Sequence, residues 1–194
     1  GSVSQDPGMT VALAATGLTV ATGGFNASNA AITMTGSLLV SGGTFTGSTG
    51  GVAVSGDVTL TGGTLAAPTG TFTVTGNWST TAGTFAPGTG TATFNRSGGG
   101  GQTLDTGGQS FTNVSHTGTQ TLQLVTNPLT VTGTMTQSAG TLATNALAVT
   151  VTGLTTISGG TYQASTGTQT FTGGLTVTAG TFTGSTGVVA VPGA

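Results

Sequence analysis

Five side chains in this sequence can take part in charge chemistry near neutral pH: Asp6, Asp57, Arg96, Asp105 and His116. Hydrolytic or eliminative attack on a polysaccharide needs acids and bases converging on one bond, with paired carboxylates of retaining glycosidases about 5–5.5 Å apart. Asp57 opens a repeat unit two units before the stretch that holds Asp105, so regular stacking keeps the two well beyond that separation. Arg96 and Asp105 flank the glycine run 98–101 and could meet as a loop-closing ion pair. His116 stands in QSFTNVSH without a second His or any Cys, which suits a hydrogen-bonded or solvated residue better than a metal ligand. GGGGQT has neither the helix nor the Lys that a phosphate-binding loop requires. TLDTGG occurs once, so the calcium-binding Gly-Gly-x-Gly-x-Asp repeat is not written here. The expectation is a protein that is not an enzyme, with no cofactor and no metal.

Charge also narrows the partners. The chain has 194 residues, no Lys, no Glu and no Cys, and a formal net charge of −2. One Arg cannot neutralise a phosphate backbone, so no nucleic acid is expected. No apolar run approaches the roughly 18 residues of a membrane span, and disulfides cannot hold the fold.

The elements that would position any site come from a repeat. SLLVSGGTFTGSTGGVAVSG at 37–56 and GLTVTAGTFTGSTGVVAVPG at 174–193 share 14 of 20 positions. A 20-residue frame fits 17–36, 37–56, 57–76, 77–96, 134–153, 154–173 and 174–193, with an irregular stretch at 97–133. Gly recurs at the seventh position (Gly43, Gly63, Gly160) and usually at the last (Gly56, Gly76, Gly173). Between them apolar residues alternate at the second and fourth positions, at the ninth (Phe25, Phe45, Leu65, Phe85), and at the sixteenth and eighteenth (Val52 and Val54, Phe72 and Val74). Alternation inside short segments predicts strands with one buried face. Thr, at 49 residues, supports strands over helices.

A constant period with like residues at like positions predicts one all-β domain, a single β-solenoid or β-helix. Each coil has about 20 residues and about three short strands, and there are roughly nine coils. Phe25, Phe45, Leu65 and Phe85 then form an internal ladder at about 4.8 Å per rung. A sandwich gives no reason for such a ladder, and a propeller blade needs about twice this period. Residues 1–16 read as a lead-in strand or tail, with MTVAL as part of a first coil, and 17–194 as the solenoid domain. Within 97–133, residues 97–101 read as a glycine loop and the remainder as two continuing coils.

NWSTTAGTFAPGTGTATFNRSGGGGQTLDTGGQSFTNVSH resembles repeats of large secreted bacterial surface proteins, whose pattern runs GNW-S-GTF-GTGTV-FN-G-QT. Asn77, Trp78, Gly83, Thr84, Phe85, Gly90, Phe94, Asn95, Gln102, Thr103, Phe111 and Asn113 fall on it. The match covers about forty residues; the rest is a generic Thr/Gly-rich solenoid. Such families are similar to filamentous adhesins, autotransporter passengers and extracellular fibres. The resemblance implies an extracellular or cell-surface, non-enzymatic role and identifies no ligand.

Two surfaces remain as candidates. Thr33, Thr35, Thr73, Thr75, Thr150, Thr152, Thr170 and Thr172 occupy the seventeenth and nineteenth positions, which point outward if the eighteenth points in. Their TxT ranks resemble the ice-binding face of antifreeze proteins. Uncharged strand-forming residues that stack without repulsion would look the same. The second surface is the coil end. GVVAVPGA follows a full coil with no Lys or Glu to discourage pairing. Either the chain is a piece of a longer solenoid or it stacks end to end on another copy; Val188, Val189 and Val191 at that end, with Val11 and Leu13 at the other, are the expected assembly interface for the head-to-tail homopolymer. The expected function is a structural subunit or segment of an extracellular filament, sheath or cell-surface stalk. Ice binding and surface adhesion are the alternatives. Surface glycans are a possible addition, given the sequons at Asn26, Asn77, Asn95 and Asn113 and the many Thr and Ser residues.

Overall fold

The computed structural model describes residues 2–4, 11–13, 17–27, 29, 31–47, 49–184 and 186–192, with the backbone alone for 2–4 and 11–13. Among them there are strands and no helix. The chain is an all-β solenoid of about eight turns, with like strands about 20 residues apart. Contacts group it into two compact units, 1–92 and 93–194, with the strand Thr91–Phe94 carrying the chain from one into the next.

In the first unit, Ser2–Ser4, Gly24–Asn26, Ser37–Thr46, Val58–Ala66 and Trp78–Ala86 lie side by side in that order. A second sheet runs Val11–Leu13, Ile32–Met34, Val52–Val54, Thr71–Val74. The strands of the described residues pair in parallel, as stacked coils require: Phe25 faces Phe45, Phe45 faces Leu65, and Leu65 faces Phe85. All four side chains are buried, and the rings of Phe25 and Phe45 stack with centroids 5.6 Å apart. The ladder read from the ninth position is therefore the core of this unit. Trp78 sits beside it, edge-on to Phe72 and Phe85, and its indole N–H donates to Thr80 Oγ1 at 3.1 Å. That bond satisfies the one polar group the ring takes inside.

The second unit uses three sheets. One runs Gln102–Asp105, Thr121–Leu124, Thr141–Ala143, Thr161–Gln163, Thr181–Thr183; another Asn113–His116, Met135–Gln137, Thr155–Ile157, Leu175–Val177. The third runs Ser110–Phe111, Leu129–Val131, Val149–Val151, Gln169–Phe171, Val189–Ala190. Three short strands per coil hold here. In the first unit the second- and eighth-position strands merge into one, Ser37–Thr46, with a register shift between Val40 and Thr44 where a bulge absorbs the turn. Seventh-position glycines adopt positive φ in both settings, 68° at Gly63 inside a strand and 57° at Gly140 at a corner, though Gly43 and Gly180 do not.

Corners are held by side-chain oxygens that accept from the next coil. Asp57 N donates to Ser37 Oγ at 3.0 Å, and Asn77 N donates to Asp57 Oδ1 at 2.7 Å. In the second unit Thr134 N donates to Asn113 Oδ1 at 2.9 Å. These replace ladder bonds that the bent backbone cannot make.

Candidate functional site

Among the described residues, those that could do acid–base chemistry are engaged in hydrogen bonds that shape the coils. Asp57 is the corner acceptor just described. Asp105 Oδ1 accepts from Asn127 Nδ2 at 2.7 Å and from Gly107 N at 3.2 Å, which shapes the turn after Gln102–Asp105. The glycine loop lies where the sequence puts it: a Cβ on Gly98, Gly99 or Gly100 would meet nothing within 4 Å. Arg96 closes that loop by donating from Nη1 to Gly101 O at 2.6 Å. Asp6 lies outside the described residues.

His116 is deep in the core, and its ring is fixed by a partner that sequence reading did not single out. Gln137, in the next coil, donates from Nε2 to Ala139 O at 2.6 Å and to Gly140 O at 3.2 Å. Its Oε1 therefore faces His116 Nδ1, 2.9 Å away, and Nδ1 must carry the proton. Burial pushes the His116 pKa below its usual 6.5, and the bond to Gln137 offsets part of that. Tyr162 and Gln169 repeat the device. The phenol donates to Gln169 Oε1, and Gln169 Nε2 donates to Gly167 O at 2.9 Å and Leu147 O at 3.2 Å. Burial drives the Tyr162 pKa upward. Both clusters tie corner carbonyls from inside. The signal for them was present: Gln137 takes the fourth position and Gln169 the sixteenth, where most other coils place an aliphatic or aromatic residue such as Val, Leu, Ile or Phe. Among the described residues no group of three or more His, Cys, Asp or Glu gathers to hold a metal.

The threonines of the two units do not belong to one sheet. Thr33 and Thr73 belong to the sheet of Ile32–Met34 and Thr71–Val74, whereas Thr150 and Thr170 belong to the sheet of Val149–Val151 and Gln169–Phe171. The frame slips within 97–133. Phe94, an eighteenth-position residue, accepts from Thr117 N beside His116, and His116 pairs with Gln137, a fourth-position residue. Ranks that agree in sequence position thus leave one sheet and enter another. Thr33 and Thr73 are also separated by Ala53, which faces both. A trough of about 210 Å³ opens there, lined in part by Thr33, Gly51, Ala53, Thr71 and Thr73. The second unit is more regular: Thr130, Thr150 and Thr170 follow in register, ending at Ala190. Thr35, Thr152 and Thr172 are exposed and Thr75 is half-buried.

Among the described residues, three of the four exposed large hydrophobic side chains lie in the last coil, the fourth being Leu154. Val188 is 62% exposed, Val177 46% and Val189 40%, and Val191 is half-buried. Their strands Leu175–Val177 and Val189–Ala190, with Thr181–Thr183, are the last of their sheets. Val40 and Val52, at the positions of Val177 and Val189 in coil 37–56, are 0% and 2% exposed. Val11 and Leu13 lie on the first strand of their sheet, and their side chains are outside the described set. Comparison with protein-family models, with curated proteins and with solved structures gave no match. No helix among the described residues is long and apolar enough to cross a membrane.

Proposed function

We propose that the chain is a structural subunit or segment of an extracellular filament, sheath or cell-surface stalk, lengthened by end-to-end stacking of solenoid coils. One observation carries this reading: coils of like sequence stack on one another in parallel register, so the surface of a coil fits a copy of itself. An open parallel edge is a template for another strand. A contact that joins the two different ends of a molecule repeats without closing, which yields a filament. The extracellular placement rests on the resemblance to secreted surface repeats. The engagement of Asp57, Asp105 and His116 in structural hydrogen bonds supports a non-enzymatic role. Electron microscopy of the purified protein at neutral pH tests the proposal. Continuous fibres are expected, unchanged in 1 M salt because screening acts on exposed charges and the chain has almost none. Val189→Lys with Val191→Lys should stop growth. Dispersed particles, or fibres that survive the double change, would overturn it.

Ice binding is a second reading, favoured by the in-register Thr130, Thr150 and Thr170 with Thr132, Thr152 and Thr172 two residues on. It requires thermal hysteresis that Thr150→Tyr abolishes; a wild-type protein without hysteresis removes it. A surface adhesin carrying glycans would use the same scaffold, with its target supplied by other parts of the surface.

A further inference from the structure

Along one face of the second unit, Thr103, Gln123, Ala143, Gln163 and Thr183 follow one another in register on successive rungs. An alanine thus stands between two glutamines. Its methyl group leaves a notch where a third carboxamide would lie. The notch has a volume of about 120 Å³ and is lined by Ala143, Asn145, Gln163, Ala164 and Ser165. Sites that take a whole small molecule run to roughly 300–1,000 Å³. This one is sized for a single substituent of something larger that stays outside.

The corner beside the notch is held in a costly conformation. Asn145 and Ala146 both have left-handed backbone, with φ of 56° and 66°, which the Cβ of an L-residue disfavours. Where the corresponding corner follows Gln102–Asp105, glycines take these values, 59° at Gly107 and 76° at Gly108. Two successive non-glycine residues in this state persist only where the surroundings over-determine them, and such strain gathers at ligand sites. Here it sets the Asn145 amide. Nδ2 donates to Leu124 O, in the coil on one side, at 3.3 Å. Oδ1 is therefore turned away from that coil, toward the side on which Gln163 and Ser165 complete the notch.

The lining carries no charged side chain, so it favours a neutral group. It offers an acceptor at Asn145 Oδ1, a carboxamide donor and acceptor at the exposed Gln163, a hydroxyl at Ser165, and methyl groups at Ala143 and Ala164. We propose that the notch is a subsite for the acetamido group of an N-acetylated amino sugar in a polysaccharide or glycan. The acetamido N–H donates to Asn145 Oδ1, its carbonyl accepts from Gln163 Nε2, and its methyl group covers the two alanines. Ser165 suits a ring hydroxyl beside it. An acetylated lysine carries the same amide, but its alkyl stem would lie against polar side chains without apolar cover. The subsite is on the side of the solenoid and is independent of how coils extend.

Saturation-transfer difference NMR of the full chain with triacetylchitotriose tests this, on dispersed molecules and on fibres alike. Saturation should be greatest at the acetyl methyl protons. Cellotriose, which has the hydroxyls without the acetamido group, should receive little, because a site built around an amide leaves its own polar groups unpaired with such an analogue. Ala143→Gln completes the glutamine rank and fills the notch at an outward position, and Gln163→Ala removes the carboxamide. Each should weaken binding roughly tenfold, with the far-ultraviolet circular dichroism unchanged. Absence of methyl saturation, equal saturation of cellotriose, or a signal that survives Ala143→Gln would overturn the subsite. Stronger saturation of an acetyl-lysine peptide than of the trisaccharide would overturn the sugar assignment.

Discussion

At His116 the balance between burial and one hydrogen bond has a consequence for stability. Its pKa in the folded chain lies below 6.5, so between that lowered value and 6.5 the unfolded chain binds more protons than the folded one. The contribution is fully present above pH 6.5 and is lost as pH falls through the folded value. Denaturant unfolding from pH 7.5 down to 5 should show falling stability, and His116→Gln should flatten that slope. An unchanged slope in the variant would place the acid sensitivity elsewhere. The sequence shows His116 as an isolated residue, better suited to a hydrogen bond than to a metal. It does not show Gln137, because the partner lies 21 residues away and only the register of stacked coils brings them together.

At the scale of the strand ladder, Phe45 is the strongest test of the core. It is fully buried between Phe25 and Leu65, whose coils fix the spacing above and below it. Parallel rungs cannot close on a void without breaking their own hydrogen bonds. Phe45→Ala should therefore cost about 3–5 kcal/mol, measured by denaturant unfolding. A cost under about 1 kcal/mol would mean that the ladder repacks. This ladder was legible in the sequence, since period and alternation place each rung. The cross-section of the coil was not. Nearly the same residues form the single strand Ser37–Thr46 in one unit and the separate strands Leu175–Val177 and Thr181–Thr183 in the other. The difference follows the coil beneath: Ser37–Thr46 pairs with Gly17–Val20 and Gly24–Asn26 within one sheet, whereas Leu175–Val177 pairs with Thr155–Ile157, and Thr181–Thr183 with Thr161–Gln163, in two. A coil takes its outline from its neighbour, and no window of local sequence contains that information. The division of the threonine ranks has the same origin, in the slip within 97–133.

For the whole molecule, the repeated rung determines how it would bear a load. Within each unit the hydrogen bonds between coils run along the stacking direction, and all strands of a coil join the next coil at once. Tension along that direction loads the bonds of one rung together, and the rung with the weakest set yields first. Once it yields, about 20 residues are set free, a contour of roughly 66–72 Å when fully extended, against a rise of about 4.8 Å while stacked. Single-molecule stretching from the two termini should then lengthen the chain in steps near 65 Å, one coil per step. A single large step per unit would instead mean that each unit fails as a whole. A stalk or fibre built this way is stiff at low force and ductile beyond it, dissipating a sudden pull coil by coil before its anchorage fails.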